Sequence, residues 1–587
     1  MIKKMKFSEI IKANNELSTS INLDYEIAIL SNITITQLQP IFEYNLRKEG
    51  IGATCLLGEY DNIVQDSNRF QDKDAVVIFW EACNVVDGLQ YKINLLNDVE
   101  FSELLEKTKN ELLYLFNQLK STPVVILNKF TSSVFNSHVL KEDKFDNFCY
   151  QLNVFLTQKA PDNFFLIDIE RIINQLSIKN SVDFRNYYTN KNLYTIEFLK
   201  SYVIYTSEIF KSIKGKTKKA LIFDCDNTLW DGIIGEDGID GIKFDGTTPK
   251  GVIFEEVQSI IKSLAKQGVV IGLCSKNNYN DVQEVFEKKN FLVLAEDDIV
   301  IKKINWNNKA SNLEDIAKEL NIGIDSLVFV DDSDFEINLV RDNLPDVLAY
   351  QVPKSVFNYP ELIRKISNLF YKRNITKEDK LRVKMYKDEA ERTIIKSNFT
   401  DIDSYISSLG LEIILYQNDK KLIRRISQLT NKTNQFNLTT KRYTEAEIEN
   451  KMNSSNFNVI ALSVSDRFGD FGITGVAILE TDDSITSIDT FLLSCRILGR
   501  KIEEQFLKEC LKILFSNNIS NVIGSYIPTP KNIQVKSFYC NAGFEVYDEN
   551  NQTTKYILSR KNFKYQKSTI IKVSYGNQDQ RNNGPDI

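Results

Sequence analysis

The sequence predicts a multidomain α/β protein in which short apolar strands alternate with amphipathic helices. Three observations support this fold class. The chain has 587 residues, more than one hydrophobic core usually organises. Short apolar runs alternate with helical stretches over the first two regions, as in parallel sheets covered by helices. The third region combines three predicted strands with a helix at Lys501–Leu514.

The first region, residues 1–213, predicts a parallel three-layer domain. Apolar runs bounded by polar turns indicate its strands, and amphipathic stretches indicate its helices. The predicted strands are Tyr25–Leu30, Gly52–Leu57, Ala75–Trp80, Pro123–Leu127 and Phe164–Ile169, and the predicted helices are residues 1–20, Thr36–Glu49, Glu100–Leu119 and Tyr194–Ile213.

The second region, residues 214–375, shows the clearest alternation and begins with the basic link Lys214–Lys219. Its strands end where polar, chemistry-bearing residues begin. We predict strands at Ala220–Phe223, Val269–Leu273, Phe291–Leu294 and Leu327–Val330, separated by helices at Ile253–Gln267, Asp281–Lys289 and Asn312–Leu320.

The third region, residues 376–565, begins with a bridging helix. Its predicted elements are the helix Thr376–Lys396, strands at Leu411–Tyr416, Val459–Val464 and Gly472–Leu479, and the helix Lys501–Leu514. The polar segment 566–587, which ends NQDQRNNGPDI, is expected to be disordered.

Composition excludes several classes of function. A net charge of −6 and a pI near 5.4 argue against a general nucleic-acid binder. The sequence has one histidine, His138, which argues against a Ser-His-Asp catalytic unit and against a metal site built from several histidines. The eight cysteines form no CxxC pair, so no zinc module is indicated. No apolar segment is long enough for a membrane span or resembles a signal peptide, so we expect a cytoplasmic protein without membrane contact.

The stretch FDCDNTLW, Phe223–Trp230, follows the first strand of the second region. Side chains two apart on an extended chain share a face, so Asp224 and Asp226 would point together from the carboxyl edge of the sheet. Two such carboxylates favour a hard divalent cation, and Mg²⁺ fits best. With Mg²⁺ present, one aspartate can attack phosphorus while the other handles the leaving-group proton.

Further polar groups follow the neighbouring strands. Ser275 and Asn277, in CSKNN, offer a hydroxyl and an amide to phosphate oxygens. Lys309 begins a helix and can neutralise a pentacoordinate transition state. Asp331 and Asp332, after SLVFV, provide the remaining metal ligands. An Asp-rich turn that caps a helix would explain any one of these motifs alone.

Together, DxDxT, a strand-terminal Ser, a Lys and DDxxxE resemble the haloacid dehalogenase (HAD) superfamily. The resemblance implies that Asp224 is the nucleophile and Asp226 the general acid/base. It further implies that Thr228 and Ser275 hold the phosphoryl group and that Lys309 supplies positive charge. Mg²⁺ would then bind Asp224, the Asp226 carbonyl, and Asp331 or Asp332. About 47 residues separate Thr228 from Ser275, so no large cap domain is expected between them.

The sequence around these motifs resembles the FkbH-like proteins of polyketide and surface-polysaccharide clusters. It includes KALIFDCDNTLWDGIIGEDG, LCSKNN, DRFGDFGITGVAI and FLLSCRILGRKIE. The resemblance implies dephosphorylation of 1,3-bisphosphoglycerate, a glyceryl thioester on the enzyme, and transfer of the acyl group to an acyl carrier protein. We prefer Cys274 over Cys225 as the thioester carrier, because strand alternation turns Cys225 away from the aspartates. Both cysteines could equally be buried packing residues.

Two alternatives stay open at this point. A plain Mg²⁺-dependent phosphatase acting on a small phosphoester needs the same carboxylates and no thiol. A non-catalytic scaffold is disfavoured, because every HAD motif position carries a competent residue.

The flanking regions resemble two other folds. The third region is similar to GNAT acyltransferases, which implies an α+β domain, although Lys501 stands where their RxxGxG/A loop ends in a small residue. Acyl-CoA use is therefore doubtful, and a pantetheine docking surface is the milder interpretation. The first region resembles an SGNH hydrolase with Arg171 in place of the catalytic histidine, so we expect it to be non-catalytic. Asp466, Arg467 and Asn434 receive no role.

Overall fold

The computed structural model describes residues 2–135, 143–288, 292–370, 384, 392, 399, 401–517, 519–550 and 552–576. The chain divides into two compact units, residues 1–210 and 211–587. The described residues form two parallel sheets and one mixed sheet. The predicted fold class, a multidomain α/β protein, is therefore confirmed. His138 lies outside the described residues, and of the predicted helix Thr376–Lys396 only Lys384 and Arg392 are described, both helical.

The first unit contains a five-stranded parallel sheet in the order β2-β1-β3-β4-β5. The central strand β3 is buried along its whole length, as expected for a parallel strand covered on both faces. The strands are β1 (Tyr25–Ser31), β2 (Ala53–Leu57), β3 (Ala75–Phe79), β4 (Val124–Asn128) and β5 (Phe164–Ile167). The helices are α1 (Phe7–Ser20), α2 (Leu38–Lys48), α3 (Ile63–Arg69), α4 (Leu89–Lys92), α5 (Asp98–Gln118), α6 (Lys144–Lys159), α7 (Glu170–Leu176), α8 (Ile178–Ser181), α9 (Phe184–Asn190) and α10 (Ile196–Ile213).

The second unit begins with a five-stranded parallel sheet in the order β10-β9-β6-β7-β8. Alternate residues of its central strand pack on opposite faces, Leu221 and Phe223 in one apolar cluster and Ala220 and Ile222 in another. The strands are β6 (Ala220–Phe223), β7 (Val270–Ser275), β8 (Ile299–Ile304), β9 (Leu327–Asp331) and β10 (Leu348–Gln351). The helices are α11 (Ile234–Gly241), α12 (Pro249–Lys266), α13 (Tyr279–Lys288), α14 (Lys309–Glu319), α15 (Asp334–Asn343) and α16 (Tyr359–Ser367).

The predicted strand Phe291–Leu294 is wrong over its described residues, 292–294, which form no strand. Leu294 is buried in the apolar core, and its amide donates to the Gln258 side chain at 3.2 Å instead of to a strand. The edge strand of this sheet is β8, five residues further on.

The second unit continues with a mixed sheet in the order β17-β18-β16-β15-β14-β13-β11-β19, with β12 paired to β15. The pairs β15–β16 and β11–β19 are parallel and the others are antiparallel. The strands are β11 (Glu412–Gln417), β12 (Phe436–Asn437), β13 (Phe457–Asp466), β14 (Gly469–Asp482), β15 (Ile485–Leu493), β16 (Asn521–Tyr526), β17 (Glu545–Glu549), β18 (Thr554–Ser559) and β19 (Lys572–Gly576). The helices are α17 (Ile402–Leu409), α18 (Ile423–Lys432), α19 (Glu445–Asn453), α20 (Ile502–Ser516) and α21 (Phe538–Asn541).

The prediction that residues 566–587 are disordered is wrong for residues 572–576. Lys572–Gly576 forms β19, which pairs in parallel with β11. Its side chains are mostly exposed, so the sequence carries no apolar signal for this edge strand. Residues 577–587 lie outside the described part of the chain.

Short 3-10 helices connect several of these elements. They cover Ile2–Lys4, Ala82–Asn84, Ile93–Leu95, Glu296–Asp298, Ile324–Ser326, Val356–Asn358, Asn368–Phe370, Lys420–Leu422, Cys495–Ile497, Ile533–Val535 and Arg560–Asn562. None of the described helices is long and apolar enough to cross a membrane.

The motif DRFGDFG forms the turn between β13 and β14. Asp466, which received no role from the sequence, accepts two hydrogen bonds from the Arg392 guanidinium, both at 2.8 Å, and the pair is fully buried. Its Oδ1 also accepts from the backbone amides of Phe468 and Gly469. Asp466 therefore has a structural role at this turn.

Candidate active site

The carboxyl edge of the central sheet brings together the ends of β6, β7 and β9. Asp224 follows β6, and its backbone amide donates to the Val330 carbonyl on β9 at 3.0 Å. Ser275 ends β7 and Asp331 ends β9. Because β6 lies between β7 and β9, the predicted residues of three separate segments meet at one edge.

Three carboxylates form a compact cluster there. Oxygen atoms of Asp224, Asp331 and Asp332 lie within 4.8 Å of one another. The Lys309 ammonium lies 3.2 Å from Asp224 Oδ2 and 2.6 Å from Asp331 Oδ2. Lys309 is the first residue of α14, and the Asn308 side chain caps this helix. The predicted lysine is thus held inside the carboxylate cluster.

Burial sets the electrostatics of this cluster. Loss of water contact raises the pKa of Asp224 to about 6 and also raises the pKa values of Asp331 and Asp332. Burial alone would lower the pKa of the Lys309 ammonium, but the charges of Asp224 and Asp331 outweigh it and raise that pKa. More negative charge is therefore concentrated here than one lysine neutralises.

The residues fit a hard divalent cation. Asp224 Oδ1 is buried and accepts no hydrogen bond, although it lies within a cluster of three carboxylates. A buried carboxylate oxygen without a donor is costly, and a metal ion would satisfy it. Oxygen-only donors of this kind match Mg²⁺, the predicted cofactor. Asp224, Asp331 and Asp332 would hold the ion.

Asp226, also predicted as a metal residue, has its side chain outside this carboxylate cluster. Its Oδ1 accepts from the Trp230 indole at 2.9 Å and from the Ile234 amide at 3.1 Å. Its Oδ2 accepts from the Asn277 side chain at 2.9 Å. These three donors hold the carboxylate beside Asp224 in one orientation, which suits the predicted acid/base role.

The predicted phosphate-binding residues surround the same edge. The Thr228 hydroxyl is buried and has no hydrogen-bond partner among the described residues. Asn277 Nδ2 donates to Ser275 Oγ at 3.1 Å as well as to Asp226. Thr228, Ser275 and Asn277 therefore offer polar atoms beside the aspartates, and Thr228 has its whole hydrogen-bonding capacity available for a ligand.

Cys274, predicted as a catalytic thiol, is buried next to this site and is not exposed to it. The strand β7 continues through Ser275, so alternation turns Cys274 away from Ser275 and into the apolar layer of Ala220 and Ile222, where its Sγ lies 3.8 Å from the Lys309 carbonyl. Its side chain is fully buried among Ala220, Phe329 and other apolar residues, and burial raises the pKa of its thiol to about 12. Cys225 is buried in the opposite apolar layer, and burial also raises the pKa of its thiol. The geometry supports a packing role for both.

The structure adds residues that sequence reasoning missed. The Tyr359 hydroxyl, from α16, donates to the Thr228 carbonyl at 3.0 Å and is buried. Lys276 and Glu336 form a salt bridge of 2.7 Å between the ends of β7 and α15. Glu336 was visible in the DDxxxE motif, but no local pattern identified Tyr359. Between Thr228 and Ser275 the chain forms only α11, α12 and β7, so this segment holds no large cap.

The remaining candidates lie elsewhere. In the first unit Arg171 pairs with Asp168 at 3.3 Å, and the Asn32 side chain bonds the backbone of Glu81. In the second unit the Lys501 ammonium pairs with Asp403 at 2.6 Å. Lys501 therefore directs its charge to α17 rather than across its own loop.

The mixed sheet leaves no open gap between β15 and β16. These strands pair only over residues 485–488 and 521–524. Beyond that point β12 pairs with Leu492 and Leu493, and the Ile527 amide donates to the Leu438 carbonyl at 2.8 Å. The chain's own segment 436–438 thus connects the ends of β15 and β16.

Comparison with known proteins identifies an extensive structural match. The N-terminal part of the protein BF1531 from Bacteroides fragilis, which contains a phosphatase domain and was crystallised with Mg, is 27% identical with a TM-score of 0.57. The match covers 63% of this chain and 100% of that one. No protein-family model matches the chain, and no curated protein is detectably similar to it.

Two acetyltransferase structures overlap a smaller part of the chain. The PaiA N-acetyltransferase from Thermoplasma acidophilum, in complex with coenzyme A, is 19% identical, with a TM-score of 0.18, over 20% of this chain and 72% of its own. The aminoglycoside acetyltransferase AAC(6')-Ib, also with coenzyme A, is 15% identical, with a TM-score of 0.21, over 26% and 96%. Overlaps this limited carry no argument about activity.

Proposed function

We propose that the central sheet carries a Mg²⁺-dependent phosphohydrolase site and that Asp224 is its nucleophile. The observation that carries the proposal is the buried Asp224 Oδ1, which has no hydrogen-bond donor inside a cluster of three carboxylates and a lysine. The similar BF1531 fragment, a phosphatase domain with Mg, supports the same reaction class. Bound Mg²⁺ would offset the charge of the carboxylates and of an incoming phosphoryl group.

The chain's own residues account for the steps of hydrolysis. Asp224 attacks phosphorus while the bond from phosphorus to the leaving oxygen breaks, which yields an aspartyl phosphate. Asp226, fixed by Trp230 and Asn277, gives its proton to the leaving group and then takes one from the water that attacks the aspartyl phosphate. Lys309 neutralises charge that develops on the transferring group.

Phosphoryl oxygens would bind beside Asp224. The unpartnered Thr228 hydroxyl and the Ser275 hydroxyl are the donors for two of them. Both hydroxyls are almost completely buried, so their positions are fixed before a ligand arrives.

We further propose that this site serves transfer of an acyl group. In this proposal the substrate is an acyl phosphate, 1,3-bisphosphoglycerate, and the glyceryl or related group passes through an enzyme thioester to an acyl carrier protein. The support is the resemblance of the sequence to FkbH-like proteins. Residues 1–213, 214–375 and 376–565 would then be an SGNH-like non-catalytic domain, the HAD-like domain and a GNAT-like domain.

A simple phosphatase acting on a small phosphoester is the second candidate. The specific observation in its favour is that Cys225 and Cys274, the two cysteines next to the site, are fully buried. Neither thiol can reach a substrate at the carboxylates without movement of the core, and a phosphatase needs neither.

Two assays separate the candidates. Hydrolysis of p-nitrophenyl phosphate that requires Mg²⁺ and is lost with EDTA tests the phosphohydrolase. Intact-protein mass spectrometry after incubation with enzymatically generated 1,3-bisphosphoglycerate and a phosphopantetheinylated carrier protein tests acyl transfer. A hydroxylamine-labile glyceryl adduct supports the transferase, whereas phosphate release without any adduct supports the simple phosphatase.

A further inference from the structure

Exposed apolar side chains follow the strands of the sheet that carries the carboxylates. Each of the five strands β6 to β10 is followed by a large exposed apolar residue, which lies before the next helix or in its first turn. In chain order these residues are Ile233, Tyr279, Trp306, Phe335 and Phe357. We call them the apolar rim.

The parallel topology gathers the apolar rim at one edge of the sheet. The carboxyl ends of parallel strands lie side by side, and the chain leaves each strand there. Single exposed apolar side chains are common on protein surfaces, but a group of them around one edge is typical of a binding site. The same edge carries the cluster of Asp224, Asp331 and Asp332, so the apolar rim borders the phosphohydrolase site.

Trp306 is the member of the apolar rim whose position is best defined. Its side chain is exposed, yet its indole nitrogen donates to Asn278 Oδ1 at 3.2 Å. The preceding residue, Asn305, donates its backbone amide to the Ser275 carbonyl at 3.1 Å. Asn278 itself follows Asn277, whose side chain donates to the Ser275 hydroxyl. Two separate hydrogen bonds therefore tie Trp306 to the segment that carries the predicted phosphate-binding residues.

The hydrogen bond to Asn278 decides what the Trp306 side chain offers to a ligand. An indole has one N–H donor, and this one is already used, so the rest of its exposed surface is apolar. Trp306 follows β8, which lies two strands from β6, or about 10 Å at the usual spacing of neighbouring strands. At this distance from Asp224, the indole is placed to contact the group bonded to phosphorus rather than the phosphoryl oxygens.

We propose that Trp306 binds the leaving group of the substrate, and that the site prefers phosphate esters whose leaving group has a flat apolar face. Such a group packs against the indole, and both surfaces lose contact with water. This inference rests on the proposed phosphohydrolase. A glyceryl group has no flat apolar face, so the inference favours the second candidate function, a phosphatase, over acyl transfer.

Calorimetric titration with two phosphonates in Mg²⁺ buffer tests this preference without turnover. Phenylphosphonate and methylphosphonate carry the same anionic group on a phosphorus–carbon bond that is not hydrolysed, and they differ in the aromatic ring. We expect the wild type to bind phenylphosphonate about tenfold more tightly, because the ring packs on the indole. In Trp306→Ala the two dissociation constants should become nearly equal, and that for methylphosphonate should stay at its wild-type value.

Two further variants control this titration. Trp306→Phe keeps an aromatic ring and should retain part of the preference, whereas Tyr547→Ala, which removes an exposed aromatic side chain from β17 in the mixed sheet, should retain all of it. A wild type that binds both phosphonates equally, or a preference that survives in Trp306→Ala, would overturn the inference and leave the phosphohydrolase standing. A wild type that binds neither phosphonate would contradict both.

Steady-state kinetics with p-nitrophenyl phosphate, an aromatic ester, separates binding from catalysis. A residue that only binds the leaving group stabilises the ground state and the transition state equally, so its loss raises KM and leaves kcat unchanged. We expect KM to rise about tenfold in Trp306→Ala with kcat close to that of the wild type. A fall in kcat at constant KM would show that Trp306 positions the catalytic groups instead, and would overturn its assignment to the leaving group.

Discussion

Replacement of Lys309 by methionine is the most informative single change in the carboxylate cluster. Methionine keeps most of the side-chain volume and removes the ammonium that lies 2.6 Å from Asp331 and 3.2 Å from Asp224. The variant then holds three clustered carboxylates without the one ammonium that pairs with them among the described residues. We expect a loss of stability in Mg²⁺-free buffer and a loss of phosphatase activity.

The distances give the size of the effect. At an effective dielectric constant near 20, charges separated by 2.6 and 3.2 Å attract by about 6 and about 5 kcal/mol. Desolvation of the buried ammonium offsets much of this attraction, so the net loss on removal of one partner is about 3–5 kcal/mol. Mg²⁺ at about 100 times its dissociation constant should restore about 2.7 kcal/mol to the variant.

Urea unfolding followed by tryptophan fluorescence measures this change locally. The reporter is Trp230, which is fully buried beside the site. Trp306 is largely exposed, and the third tryptophan can be removed by the substitution Trp80→Phe. Lys303→Met, which breaks a partly exposed pair with Glu319, is the matched control and should cost at most about 1 kcal/mol. A Lys309→Met protein as stable as the control without Mg²⁺ would refute the assignment of a charged, compact cluster.

Three further predictions concern other named groups. Asp226→Asn should lower the rate of p-nitrophenyl phosphate hydrolysis about 10²–10⁴-fold in steady-state assays, because it removes the acid/base carboxylate; a rate near that of the wild type would contradict this role. Burial raises the pKa of Glu81 to about 7, above its ordinary value of 4.5. Because the carboxyl group ionises at lower pH in the unfolded chain, the first unit should lose about 3 kcal/mol of stability as the pH rises from about 4.5 to 7. The urea midpoint of Glu81→Gln should lack this part of the pH dependence, and identical pH profiles of the variant and the wild type would contradict it. Arg392→Met should cost the second unit about 3–5 kcal/mol in denaturant unfolding, because it leaves Asp466 buried without its cation; a loss below 1 kcal/mol would show that the backbone amides alone satisfy Asp466.

Buried parallel strands were predictable from the sequence because they are continuous apolar runs. Ala75–Phe79 and Ala220–Phe223 are buried at every position, and both were identified. The same kind of apolar run gave a wrong strand prediction at Phe291–Leu294, because apolar character alone does not distinguish a buried loop from a strand. Strand β19 was missed for the opposite reason: its exposed side chains carry no signal, and its pairing with β11 joins residues 160 positions apart.

The carboxylate cluster was predictable because parallel strands bring their carboxyl ends to one edge. Asp224, Asp331, Asp332 and Lys309 meet there as expected. The preference for Cys274 depended on whether β7 had ended before that residue, which the sequence does not show. Because β7 continues through Ser275, alternation buries the thiol. The contact of Tyr359 with Thr228 joins residues 131 positions apart and has no local signature.

Chemical trapping of the nucleophile tests the central claim most directly. Wild-type protein is mixed with Mg²⁺ and p-nitrophenyl phosphate, quenched with sodium borohydride, which reduces an aspartyl phosphate to homoserine, and digested for peptide mass spectrometry. The account predicts homoserine at position 224 in the wild type and none in Asp224→Asn. Active turnover with no homoserine at position 224, or with homoserine at another aspartate, would contradict it.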